Sequence, residues 1–123
     1  VNPNTNISGK EIVFNEFYRR HLKAIIPEII QNWEQKTNLE CENWTVLKMR
    51  TKWGSCNIEK KKIMLNLELA KKPRHCLDYI VLHELLHLKE RNHNDNFIAL
   101  LNKYMPNWKT YRRELNELPT NLN

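Results

Sequence analysis

His83-Glu84-Leu85-Leu86-His87 interrupts an apolar stretch, and His93 follows shortly after it. On a helix, residues four apart project from one face, so His83 and His87 could grip a single metal ion. Glu84 between them could reach water held at that ion. Catalytic zinc takes three protein ligands and leaves a fourth position to water. His93 is the preferred third ligand, because a turn straight after the helix can swing it back toward the metal. A glutamate from the last helix, Glu114 or Glu117, is the rival. Zinc lowers the pKa of its water toward about 7, and Glu84 could accept the proton as that water attacks a carbonyl or phosphoryl group. Glu84 cannot be ligand and base together, and its place beside a ligand favours the base. A structural zinc site would be richer in thiolates and carry four protein ligands.

Other reactive side chains fit less well. Cys76 precedes His83 by seven residues, about 10 Å along a regular helix, which removes it as a ligand to the same ion. His21 and His75 have no ligand spacing and read as packing or surface residues. The row Lys48, Arg50, Lys52 alternates along an expected strand and could receive phosphates or acidic groups. Its simpler reading is a solvated face. Tyr79, Tyr104, Lys52 and Asn66 are candidates to stabilise an oxyanion, and Lys48, Arg50, Lys52, Asn66 and Tyr79 are the candidate substrate contacts. Gly54 is the only glycine after Gly9. It implies positive φ or a close backbone approach, and Trp53 and Cys56 beside it read as packing residues.

These groups need elements to hold them. Ser8 and Glu11 have capping-box spacing, which starts a helix near Gly9. Phe14, Phe17, Tyr18, His21, Leu22, Ile25, Ile29 and Trp33 then repeat at helical period through Pro27, giving one kinked helix. Residues 44–51 read as a strand with Leu47 and Met49 on one face. Residues 62–66 read as a second strand after a polar bend at Lys60 and Lys61, in a hairpin or meander. Pro73 opens the metal-binding helix, which is expected to run to about Arg91. Leu77, Val81, Leu85 and Leu88 share one side of it, while Cys76, Tyr79 and Ile80 share the histidine side. Only a strip with His75, Asp78 and Lys89 is left for water, so this helix must be central.

Asn92 can end that helix in a left-handed conformation, and Asn94 or Asp95 can cap the next through about Tyr104. Pro106 stops it. Trp108, Tyr111, Leu115 and Leu118 mark the apolar face of a last helix. The order is an N-terminal helix, a small antiparallel or mixed sheet, a central zinc helix and two C-terminal helices, an α+β fold.

Composition agrees with a single domain. The chain has 123 residues, 41% hydrophobic and 28% charged, enough for one core. Residues 1–7 read as a disordered lead-in and 8–123 as the domain, and the missing initiating Met suggests part of a longer protein. No apolar run reaches the roughly 20 residues of a membrane span. Cys41, Cys56 and Cys76 are an odd number without framework spacing, which points to a reducing cytoplasm. The net charge of +6, from 20 basic and 14 acidic residues, suits an anionic partner without demanding one.

More than the zinc motif links the chain to a known family. Trp53-Gly54-Ser55-Cys56, the strand Ile63–Asn66 ending in Asn, Pro73, and Tyr79-Ile80-Val81-Leu82 before the motif are part of the pattern. Asn92-His93 with Phe97, and then Pro106, complete it. Over about residues 50–115 the chain resembles the YgjP-like metal-dependent hydrolases, close to the SprT-like and WLM zinc peptidases. The resemblance implies one zinc on His83, His87 and His93, with Glu84 catalytic. It also implies a minimal zincin architecture whose small sheet lies across the zinc helix and borders the cleft with its edge. Such chains usually carry a further β-rich segment upstream. The histidine spacing equals that of the metzincins, but Glu90 stands where they place Gly, and Met105 suits a helix end rather than a Met-turn.

Three functions compete. A metallopeptidase acting on a peptide or protein is preferred, because a sheet edge beside the zinc suits an extended peptide. Hydrolysis of a nucleotide or other phosphate ester would use the same chemistry, but no Gly-rich phosphate loop is present. A nucleic-acid-associated adaptor with a vestigial zinc site would not need Glu84.

Overall fold

A computed structural model describes the backbone of residues 3–117 and the side chains of residues 14–117. Helix α1 spans Pro3–Thr37 with Pro27 inside it. It begins before Gly9 and takes in residues expected as lead-in; proline is tolerated in a first helical turn. Ser8, Glu11 and Leu118 have side chains outside the described residues. Leu22, Ile26, Ile29, Ile30 and Trp33 form the buried face of α1. Phe14 and Phe17, expected on that face, are 56% and 62% exposed and pack instead with the ring of Tyr18. Asn38 ends the helix at φ 59, a conformation asparagine adopts more readily than most residues.

The sheet is the mixed one of the two expected forms, with a third strand added to the two expected in a hairpin or meander. Strand β1 is Asn43–Leu47, β2 is Gly54–Asn57 and β3 is Lys62–Asn66. Their order is β1-β3-β2, with β1 parallel to β3 and β2 antiparallel to it. The first strand therefore stops before Lys48, and residues 48–53 form a loop. Fully buried Asn66 organises this loop. Its side-chain amide donates to the carbonyls of Met49 at 3.0 Å and Lys52 at 2.7 Å. Its Oδ1 accepts from the Glu68 amide at 3.0 Å and so caps the 3₁₀ turn Leu67–Lys71. With both ends of its side chain engaged, Asn66 shapes the loop from inside.

Helix α2 spans Arg74–Leu86, with Pro73 at its N-cap. Cys76, Leu77, Ile80, Val81, Leu82, Leu85 and Leu86 are buried on nearly all sides, while His75 and Asp78 are partly exposed. The expected central helix is present but ends before Arg91. The amides of His87, Leu88 and Lys89 bond three residues back, to Glu84, Leu85 and Leu86, a tightening common in a last helical turn. Asn92 does not supply a left-handed residue; among the described residues other than glycine, only Asn38 and Lys61 have positive φ.

Helix α3, Asp95–Tyr104, is capped by Asn94, whose Oδ1 accepts from the Phe97 amide at 2.9 Å. Helix α4, Trp108–Glu117, buries Trp108 and Leu115. The architecture is α+β, with a three-stranded mixed sheet and four helices among the described residues.

Candidate metal centre

His83 and His87 project from the last turns of α2, and the short 3₁₀-like turn after it returns His93 to the same place. Their ligating nitrogens lie within 4.8 Å of one another. The Nε2 atoms of His87 and His93 are 3.0 Å apart. Two nitrogens on a tetrahedral zinc, each bonded at about 2.0–2.1 Å, sit about 3.3 Å apart. The three imidazoles therefore fit a metal of this class with small adjustments. Glu114 is not near them, because its carboxylate meets the His75 ring.

The neighbours of each ring fix its orientation. His87 Nδ1 faces the Glu90 carbonyl at 3.1 Å. Donation from Nδ1 leaves Nε2 free for a ligand role. Glu90, where a metzincin places glycine, thus supplies the backbone oxygen that orients a ligand ring. Its own carboxylate accepts from Asn94 Nδ2 at 3.2 Å, tying the turn to the cap of α3. Phe97 on α3 lies under the group, its centroid 5.0, 4.7 and 5.0 Å from those of His83, His87 and His93. Partial loss of water, and then the neighbouring His83 and His87 rings, hold the His93 pKa below its ordinary value, while Glu84 acts in the opposite direction. The neutral ring is the state that binds metals.

Glu84 is only 5% exposed, and its Oε2 lies 3.1 Å from His83 Nδ1. Gly54 on β2 explains how a carboxylate fits there. A Cβ on Gly54 would lie 2.9 Å from Ile80 Cγ2 and 3.1 Å from Glu84 Cγ. The glycine is needed for close approach of strand and helix and not for positive φ, since no glycine has it among the described residues.

The histidines and Glu84 open into a cleft of about 470 Å³. Gly54, Ser55 and Cys56 of β2 form one wall, Trp53 and Lys52 border it, and Arg112, Leu115 and Asn116 of α4 form another. Trp53 and Cys56 thus line the cleft as well as packing beside it. Trp53 is oriented by its Nε1–H, which donates to Asn116 Oδ1 at 3.2 Å. Burial, followed by the charge of Glu84 and proximity to Cys41, raises the Cys56 thiol from 9.0 to about 11.

Of the candidate substrate contacts, Tyr79 and Lys52 reach the cleft. Tyr79 is buried, edge-on to His83 at 5.7 Å and stacked on Trp108 at 6.4 Å. Burial raises its phenol from 10.0 to about 12, with Arg112 opposing and Glu84 reinforcing the shift. It is therefore a neutral donor at ordinary pH. Lys48 lies elsewhere, beside Phe14, Tyr18 and Glu68. Arg50 is exposed in the loop and is not among the cleft-lining residues. Asn66 is committed to the loop backbone. Tyr104 packs near Trp33 and His75 on another side of the molecule. Arg91 and Arg112, which line the cleft, carry no motif or period that points to it. Their placement depends on how the post-helix turn and α4 pack.

A three-stranded mixed sheet whose strand β2 borders the cleft, beside a central helix that carries His-Glu-x-x-His, defines a minimal zincin-like fold of the metallopeptidase type. The YgjP-like family, described as a metallopeptidase domain, matches residues 1–118. The chain belongs to this YgjP-like metallopeptidase-domain family. Among solved structures, it is similar to the metallopeptidase zymogen of Methanocaldococcus jannaschii jannalysin. The two are 26% identical with a TM-score of 0.64, over 73% of this chain and 92% of that one. It also shares its fold with the metallopeptidase zymogen of Pyrococcus abyssi abylysin, at 17% identity and a TM-score of 0.69, over 80% and 99% of the respective chains. No curated protein matches it.

Proposed function

We propose that the chain is a zinc peptidase in which His83, His87 and His93 hold one ion and Glu84 is the general base. The carrying observation is the convergence of the three imidazoles within 4.8 Å beside a buried carboxylate that faces an edge strand. When bound, zinc supplies Lewis acidity that polarises a carbonyl and acidifies water. Glu84 takes the proton from the attacking water and passes it to the departing amine nitrogen. Its burial keeps the carboxylate poorly hydrated and oriented by His83. Tyr79 is placed to donate from its neutral phenol to charge developing on the carbonyl oxygen.

Strand β2 has a partner only in β3 within the described sheet, and its residues line the cleft. An extended peptide pairing with this edge would present its backbone to Glu84. Residues 8–123 form the catalytic domain in this reading, acting in a reducing cytoplasm. No helix among the described residues is long and apolar enough to cross a membrane.

A phosphate-ester substrate is the second reading, favoured by Lys52, Arg91 and Arg112 around the cleft. Metal-stripped protein, resupplied with zinc and offered unstructured peptides and phosphate esters in parallel, separates the two. Zinc-dependent peptide cleavage without ester turnover is the expected result. Ester turnover alone would overturn the peptidase reading.

A further inference from the structure

A second group of ligating side chains lies at the opposite end of α2. His75 and Cys76 occupy its first turn, and Glu114 reaches them from α4. Their donor atoms also lie within 4.8 Å of one another. The His75 imidazole contacts the Glu114 carboxylate directly. Cys76 Sγ is 3.8 Å from the Tyr111 carbonyl, and the Tyr111 ring packs against His75 at 4.9 Å. A surface ion pair would account for His75 and Glu114, whose side chains are each 42% exposed, but it gives no role to the thiol beyond its long contact with the Tyr111 carbonyl.

From this geometry we infer a second metal site, on His75, Cys76 and Glu114, for a borderline-soft divalent cation such as zinc or cobalt. One imidazole, one thiolate and one carboxylate match that class, whereas calcium and magnesium prefer oxygen donors alone. An ion can approach from the side of the partly exposed His75 and Glu114. The buried thiol then supplies the innermost donor and releases its proton to solvent as the bond to the metal forms. Burial, and next the charge of Glu114, favour the protonated thiol, with Lys72 opposing.

Three protein donors leave a position for water, which suits a weaker and more exchangeable ion than a closed four-ligand site. Its physical effect is to tie the first turn of α2 to α4. The same helix carries Arg112, Leu115 and Asn116 into the cleft wall, so the ion braces that wall from behind.

Cobalt titration of the metal-free protein tests the site, with bound metal and the thiolate-to-cobalt charge-transfer absorption read together. Three imidazoles cannot give that absorption, so the band reports a cysteine ligand. Wild type should take up a second equivalent as the band grows. His93→Ala should weaken binding in the cleft and retain the band, while Cys56→Ser should leave both equivalents unchanged. Cys76→Ser should lose the band and one equivalent. Glu114→Gln, at a partly exposed position, should weaken both, and it carries the test if the buried serine prevents folding. A wild-type protein with no band, a band surviving Cys76→Ser, or a band lost in Cys56→Ser would overturn the assignment. A wild-type protein that takes up one equivalent only, with the band and with no ion in the cleft, would contradict the proposed peptidase centre and leave this second site standing.

Discussion

Two polar rows in this chain have similar regularity and opposite outcomes. His83, Glu84 and His87, joined by His93, meet at one point, whereas Lys48, Arg50 and Lys52 scatter. The difference lies in what enforces each spacing. A four-residue interval converges while the chain keeps helical dihedrals, and His87, the C-cap of α2, still has them at φ −64 and ψ −19. Alternation along a strand aligns side chains only while the strand remains paired. Here β1 ends at Leu47, and buried Asn66 fastens the following backbone as a loop. The first row can therefore concentrate chemistry, while the second leaves only Lys52 at the cleft.

The largest effect that could break this contrast is at Glu84. Glu84→Gln should lower kcat for peptide cleavage by about 10²–10⁴-fold, the range for losing a general base, with metal content retained. Steady-state kinetics beside elemental analysis checks it, and near-normal turnover would remove Glu84 from the chemistry. Next is Asn66→Ala, which strands backbone groups in the loop and should destabilise the fold by about 1–3 kcal/mol. Denaturant unfolding would register that loss, while kcat per folded molecule falls far less than in Glu84→Gln. An effect confined to KM, with stability unchanged, would instead make Asn66 a substrate contact.

A smaller change sharpens the comparison at the one lysine that borders the cleft. Lys52→Ala should raise KM several-fold for acidic peptides, on the order of 1 kcal/mol for a partly hydrated charge interaction, and should matter less for neutral ones. Smallest of all, Lys48→Ala combined with Arg50→Ala should leave peptide turnover within about twofold, consistent with the usual ±0.5 kcal/mol of surface changes. A large loss in this pair would mean that the basic row acts together after all.

The legible parts of the molecule were those governed by helical period and steric need. The histidine spacing, the central position of α2, the Asn94 cap and the close approach at Gly54 all follow from local chemistry. Strand β2 was missed because Gly-Ser-Cys-Asn lacks the branched and aromatic residues that mark strands. Its pairing with β3 comes from tertiary context. A mixed sheet was one of the two expected arrangements, but which strands run parallel was not legible, because the connection from β1 to β3 contains the unrecognised β2. Helix α2 stopped early because its final amides shifted to three-residue bonds, which no residue type announces. The exposure of Phe14 and Phe17 shows the converse limit: apolar period places residues on a face but does not say where the covering elements end.

In the proposed centre, three histidines from a helix and its following turn hold one catalytic ion. This arrangement is tested most directly by metal binding and peptide turnover in His93→Ala beside wild type. Cleft metal affinity should fall by at least the roughly 10–100-fold seen for supporting residues, with turnover falling in parallel. Unchanged cleft affinity and unchanged turnover would contradict it.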